Sequence, residues 1–162
     1  MLTRLRVSID VAKPFFMNIR KAQLEDVDAL AGLFDQYRIF YQQPSDKQAA
    51  KQFLSERIQQ NESVIFLAFL DGKMVGFTQL YPVFSSISMK RAWVLNDLYV
   101  LPETRGSGAA DALLKAAQEL GATTSSGWLV LQTAHHNHRA QRVYERNKWE
   151  KDEEFFTYYY HY

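Results

Sequence analysis

The sequence predicts an α+β domain in which helices flank a mixed, mostly antiparallel sheet, in the order βααβββαβαβ. Three observations predict it. The dipeptide Asp71-Gly72 between two apolar runs marks a tight hairpin, because both residues accept positive φ. A strand, a helix and a second strand succeed one another between positions 91 and 133, which requires a right-handed parallel crossover inside the sheet. A chain of 162 residues, 47% hydrophobic and 23% charged, is long enough for one buried core and short for two.

Each element has its own signal. Met17 to Ala22 reads as a strand, and Val27, Leu30, Phe34, Tyr37 and Tyr41 then recur at intervals of three and four, an amphipathic helix with Glu25 and Asp26 at its positive end. Gln42 to Ser45 breaks it. Ala50, Phe53, Leu54 and Ile58 trace a second helix ending near Asn61. Val64 to Leu70 and Met74 to Tyr81 are the arms of the hairpin. Arg91 to Leu101 is apolar on both alternating faces except at Asn96 and Asp97, so it reads as a central strand closed by Pro102. Ala110, Leu113, Leu114, Ala117 and Leu120 form a helical stripe, for which Gly121 is the expected left-handed cap. WLVLQT at 128–133 reads as a buried strand, Asn137 as the cap of a helix with Ala140, Val143 and Tyr144 inward, Asn147 as its stop, and the final FFTYYYHY as a closing strand.

Residues 17–162 are expected to form one domain. Residues 1–16 read as an extension in which either Val7 to Val11 adds a strand or Met17 is the true start. Arg4, Arg6, Asp10 and Lys13 deny that stretch the apolar continuity of a secretory signal.

Charge and composition exclude several functions. Nineteen basic against eighteen acidic side chains leave a net charge of +1, too little to favour nucleic acid or a membrane surface. The absence of cysteine removes thiolate nucleophiles, disulfides and cysteine-ligated metals, and suits a reducing, cytoplasmic setting. His135, His136 and His138 lack carboxylate partners at ligand spacing, so no metal is expected. Function must come from a local site.

The join Val100-Leu-Pro-Glu-Thr-Arg105-Gly-Ser-Gly-Ala-Ala110 carries the strongest chemical signal. A strand ends there and a small-residue turn opens directly into a helix, whose first N–H groups and positive dipole end suit a phosphate. A plain flexible turn is the competing reading. The chain contains no GxxxxGK[ST], and Asp111 stands where the dinucleotide GxGxxG motif needs its third glycine, so neither nucleotide motif fits. In the helix that Asn137 caps, seven residues turn about 700° and rise roughly 10.5 Å, so Asn137 and Tyr144 share a face and one elongated ligand could touch both. Tyr144 as ordinary core is the alternative.

Arg105-Gly106-Ser107-Gly108-Ala109-Ala110 resembles the R/Q-x-x-G-x-G/A pyrophosphate loop of the Gcn5-related N-acetyltransferases, and Asn137-His-Arg-Ala140-Gln-Arg-Val-Tyr144 resembles that family's N-x-x-A-x-x-x-Y helix. With Val75-Gly76-Phe77 and Asn96-Asp97-Leu98-Tyr99-Val100, the resemblance spans Met17 to Tyr162 and looks closest to the fungal histone and polyamine acetyltransferase-like and diamine acetyltransferase branch. It implies the acetyltransferase fold, acetyl-coenzyme A as co-substrate and a primary amine as acceptor. A main-chain N–H near Leu98 would polarise the thioester carbonyl, and Tyr144 would protonate the leaving thiolate. A phenol of pKa about 10 matches a thiolate of similar basicity. Asp97 is either the proton acceptor for the amine or a carboxylate hydrogen-bonded to nearby backbone.

Asn96 and Tyr41 are candidate acceptor contacts, with Gln42 and the loop Phe84 to Lys90 beside them. Asn96-Asp97 replaces the paired acids of diamine acetyltransferases, which argues against a polyamine. Lys148-Trp149 replaces the family's Gly-Phe, with Asn147 expected to take the left-handed cap. The aromatic closing run implies a homodimer. Two other functions compete: a coenzyme A-binding module without turnover, and an acetyltransferase acting on a protein lysine or N-terminus. A dinucleotide oxidoreductase is disfavoured by Asp111.

Overall fold

The computed structural model describes residues 16–162, so the expected Val7–Val11 strand lies outside the described residues. Five strands, β1 (Met17–Lys21), β2 (Val64–Leu70), β3 (Lys73–Ser85), β4 (Lys90–Val100) and β5 (Leu129–Leu131), lie side by side in sequence order. Neighbours are antiparallel until the last pair, where β4 and β5 run parallel. The helices are α1 (Val27–Phe40), α2 (Lys47–Gln59), α3 (Ala109–Thr123) and α4 (His138–Arg146).

Burial divides the helices between the two faces of the sheet. Leu30 and Phe34 of α1 and Leu54 of α2 pack with Ile65, Leu67 and Phe77 on one face. Leu113, Leu114 and Ala117 of α3 take the other, against Leu80, Trp93, Leu95 and Val100. Asp71 (φ 49°) and Gly72 (φ 80°) make the expected turn between β2 and β3. Asp35 ties α1 to the start of α2, accepting from the Ser45 hydroxyl at 2.7 Å and the Asp46 N–H at 2.8 Å.

The β3–β4 hairpin is longer than its hydrophobic pattern suggests. Pairing continues to Ser85 opposite Lys90, so the expected Phe84–Lys90 loop is mostly ladder. Within the ladder Gln79 faces Asp97 and Leu80 faces Leu95, leaving Asn96 as an extra residue in β4. The side-chain faces change there: Trp93 and Leu95 lie on the α3 face, whereas Tyr99 lies on the α1 face with Phe77. The strand is buried on both faces as expected, with Ala92, Trp93, Leu95, Tyr99 and Val100 all in the core, and the alternation is interrupted only at the bulge.

Four further expectations are corrected. Gly121 sits inside α3, because a Cβ there would meet the Leu129 side chain; the left-handed residue after the helix is Ser125 (φ 51°). Asn147 (φ −91°) ends α4 without a positive φ, its side chain being engaged by Asp111, and Lys148 (φ 64°) makes the reversal. WLVLQT contributes three strand residues and is half-open, since nothing among the described residues pairs on the outer edge of β5. FFTYYYHY forms no strand: the run meets β5's continuation by side chains alone, Tyr159 donating to Gln132 and Gln132 to Thr157, and its large aromatics stay exposed.

Gly76 faces Val100 across the hairpin, and a Cβ at this buried position would lie 2.6 Å from the Tyr99 carbonyl oxygen, a backbone atom that cannot swing aside. Gly76→Ala should cost about 1–3 kcal/mol, read as a lowered midpoint in urea or thermal denaturation. An unchanged midpoint contradicts the close approach of β3 and β4.

Candidate active site

The strands diverge at the bulge and open a cleft. Among the described residues β5 pairs with β4 only at Trp93–Leu95, and beyond Leu95 that edge of β4 has no strand beside it. A cleft of about 500 Å³ lies there, bounded by the end of α1, the second half of β4, the Arg105–Ala110 turn, the residues after β5 and α4.

The bulge decides which amides face this cleft. Main-chain N–H groups alternate sides along a strand. Trp93 donates to the Trp128 carbonyl on the β5 side, whereas Leu101 donates to Val75 of β3. These residues are eight apart and in an unbroken strand would point the same way. The extra residue reverses the parity, so Tyr99 shares the direction of Leu101 while the Leu98 and Val100 N–H groups turn from β3 toward the cleft.

The turn after β4 supplies more donors. Gly106 (φ 92°) and Gly108 (φ 88°) adopt left-handed backbone, and nothing lies within 4 Å of where either Cβ would stand. The N–H groups of Gly106, Gly108, Ala109 and Ala110 have no main-chain acceptor among the described residues. Arg105 donates from Nε to the Val100 carbonyl at 3.3 Å, which holds the guanidinium against the turn. Unpartnered amides at a helix start beside a cation form a cradle for a diphosphate, so the residues present fit the co-substrate that the loop motif implies.

On the opposite wall, Asn137 caps α4 by accepting from the Ala140 N–H at 3.2 Å. Asn137, Ala140 and Tyr144 all line the cleft, on the shared helix face that their spacing predicts. Burial raises the Tyr144 pKa above its ordinary value, with a smaller effect from Tyr41, so its hydroxyl keeps its proton.

Most of the expected site residues meet here. Asn96, Leu98, Tyr99, Val100, Arg105, Gly106, Gly108, Ala109, Ala110 and Tyr41 join those three in the wall. Ser107 does not: it is set back, its N–H bound to the Thr104 carbonyl. Gln42 and the Phe84–Lys90 tip also lie outside, because the long hairpin carries the tip away. His135, His136 and His138 are exposed, and no group of three metal-ligating side chains occurs among the described residues.

Asp97 stands behind the wall. It is 4% exposed, accepting from Gln79 Nε2 at 2.8 Å and Asn96 Nδ2 at 3.0 Å. Its partners are thus side chains, not the backbone donors one sequence reading supplied. Ser63 donates to Gln79 and orients its amide. Burial pushes the Asp97 carboxyl above the usual range, opposed by bonds from Gln79, Tyr37 and Asn96. Burial also raises the phenol of Tyr37, and Asp97 raises it further; Tyr81 is pushed up to about 12 for the same two reasons. Tyr37 and Asn96 both face Asp97 and line the cleft, so they connect it to the carboxyl.

Several contributors escape sequence reasoning. Tyr37 and Phe40 are wall residues hidden in what looks like a core stripe. Gln79 is detectable as a lone amide in an apolar strand, but its partner emerges only from the register. Asp111 accepts two bonds from Arg146, Nε at 2.7 Å and the terminal nitrogen at 2.6 Å, and one from Asn147 at 2.7 Å. This clamp joins the first turn of α3 to the end of α4.

Comparison with known proteins identifies the family and the fold. The model of the acetyltransferase (GNAT) family matches residues 29–149. An uncharacterized N-acetyltransferase of Bacillus subtilis (strain 168), YhfO, is 50% identical over 142 residues, covering 88% of this chain and 95% of that protein. The crystal structure of a probable acetyltransferase is 41% identical, covers 90% of this chain and 97% of its own, and superposes with a TM-score of 0.85. The aminoglycoside N-acetyltransferase AAC(6')-Iy in complex with CoA shares the fold, with a TM-score of 0.76 and 23% identity over 93% of this chain and 98% of that one. None of the three is described as a histone, polyamine or diamine acetyltransferase, so the narrower branch suggested by sequence lacks support.

Arg146 and Asn147 hold the Asp111 carboxyl below its ordinary pKa. A depressed folded-state pKa contributes stability above the unfolded value, about 3.9, and loses it as pH falls through the folded one. Asp111→Asn should therefore lower the melting temperature at pH 7, with the gap to wild type narrowing as the pH falls below the unfolded-state value. A gap that persists undiminished in acid contradicts an ionic clamp.

Proposed function

The chain belongs to the acetyltransferase (GNAT) family and is an acetyl-CoA-dependent acetyltransferase, and we propose that it acetylates a primary amine by direct attack in a ternary complex. The observation that carries this reading is the continuity of the cleft. The diphosphate cradle, the inward Leu98 N–H and Tyr144 all border one cavity, which a single extended thioester could occupy.

Acetyl-CoA supplies an activated acetyl carbonyl and a thiolate leaving group. The residues of the chain supply the rest. The Leu98 N–H donates to the carbonyl oxygen, where negative charge develops during attack. Tyr144 gives its proton to the departing sulfur, and the absence of cysteine removes an acyl-thioenzyme alternative. Asp97 receives the proton lost by the amine through the Tyr37 hydroxyl, which takes one proton as it passes its own on; Asn96, Gln79 and Ser63 hold the carboxyl in place. Acetyl-CoA chemistry and the cysteine-free sequence together suit a cytoplasmic protein; no helix among the described residues is long and apolar enough to cross a membrane.

The reading extends to a homodimer. Phe155, Phe156, Tyr158 and Tyr160 are 79–89% exposed beside the unpaired edge of β5, which is more aromatic surface than a monomer keeps in water without use. Full-length protein should scatter light with twice the chain mass, and deletion of residues 155–162 should leave the mass of one chain. A full-length monomer at tens of micromolar would refute the dimer without touching the chemistry.

Tyr144→Phe should reduce turnover by about 10²-fold or more while leaving CoA affinity within a factor of two by calorimetry. Gly108→Val should abolish the heat of CoA binding, because β-branching at positive φ is strained and fills the cradle. Because a proton acceptor must be ionised and burial raises the Asp97 carboxyl, turnover should fall on acidification at a higher pH than an ordinary carboxylate would produce. Asp97→Asn should remove that acidic limb. Wild-type turnover by the phenylalanine variant would retire Tyr144 from its role.

A further inference from the structure

The acceptor end of the cleft differs chemically from the cradle end. We infer that the amine acceptor is a small primary monoamine with an aromatic or extended apolar body, seated against the C-terminal turn of α1. This rests on the acetyltransferase reading and names the substrate class for the same site.

Charge gives the first argument. Lining the cleft are four arginines, Arg105, Arg139, Arg142 and Arg146, against one acid, Asp111. Arg146 and Asn147 already engage both oxygens of Asp111. Arg105, Arg139 and Arg142, from the turn after β4 and from α4, have no carboxylate partner among the described residues. They suit a phosphate-bearing co-substrate and repel additional ammonium groups. A polyamine or an aminoglycoside brings several charges and needs several carboxylates, whereas the acceptor end offers one, Asp97, set behind Asn96 and Tyr37. One ammonium has a counterpart; a second has none.

The second argument is the wall itself. Tyr37 and Tyr41 meet edge to face at 5.1 Å between ring centres, and Phe40 and Tyr41 at 5.2 Å. Phe40 is 57% exposed and Tyr41 53%, although both stand in the cleft wall beside the half-buried Tyr37. Three contiguous rings with two open toward the cavity present apolar surface to a ligand body, and their faces attract the single cation. Charge and shape thus select the same acceptor.

The test is thiol release from acetyl-CoA with phenethylamine, tryptamine, spermidine, kanamycin and a hexapeptide with a free apolar N-terminus, alongside calorimetry with CoA. The arylalkylamines should show kcat/KM at least about tenfold above every other acceptor. Phe40→Ala should raise KM for phenethylamine about tenfold with kcat and CoA heat unchanged, a split that general unfolding would not produce. Tyr41→Asp, which adds a carboxylate, should raise turnover of spermidine relative to phenethylamine. Preference for spermidine, kanamycin or the peptide overturns the inference, as does intact CoA binding with no turnover of any arylalkylamine. Absence of heat with CoA overturns the acetyltransferase reading itself.

Discussion

One surplus residue in β4 sets the chemistry of the site. Asn96 has no opposite number on β3, so everything after it is rotated by half an alternation relative to everything before. An unbroken strand would send the Leu98 N–H into the ladder with β3, where a carbonyl would consume it. With the bulge, the same amide turns toward the side that β5 abandons after Leu95. The inversion also decides the side chains: Asp97 passes to the α1 face, to be buried with Gln79, while Leu98 and Val100 face α3. A free donor on one side and a protected carboxylate on the other thus have a single cause. The local cost of a bulge is offset by the long antiparallel hairpin on which it sits.

The parts of the fold that local chemistry dictates were legible in the sequence. β2 runs from Val64 to Leu70 as its apolar run predicts, and Asp71-Gly72 turns as those two residues demand. The cradle glycines and the Asn137 cap were legible for the same reason: each requirement is met within four residues. Failures fall where the deciding partner is distant in sequence. Gly121 looks like a helix stop until Leu129 is packed against it. FFTYYYHY has strand composition, but composition supplies no neighbour, and its contacts with β5's continuation stop at Gln132.

The site divides along the same line. Tyr144, Asn137 and the Arg105–Ala110 turn are recognisable because their spacing is their function. Tyr37 and Phe40 share the intervals of an ordinary apolar stripe, and only the divergence of β4 and β5 turns the end of α1 into a cavity wall. The bulge is equally silent. Asn96-Asp97 reads as two polar residues in a buried strand, and nothing in that pair says that one faces the cleft and the other hides from it.

Asp111 shows how the cradle and the acid–base groups are held in one frame. An acid in the first turn of α3 is favoured by the helix dipole, yet there it stands next to amides arranged for an anion, and a bare carboxylate would repel the diphosphate. Arg146 and Asn147 resolve the conflict by taking both oxygens. The guanidinium offsets the local negative charge, so the cradle keeps its sign. The bonds cross from α3 to the helix that carries Tyr144, and Gln118 adds another from its amide to the Asn147 carbonyl at 2.8 Å. Val143 and Tyr144 pack half-buried against the core, and these polar ties add to that packing in fixing the position of α4. The distance between phosphate donors and proton donor is therefore set by apolar packing together with a charge pair that also protects the anion site.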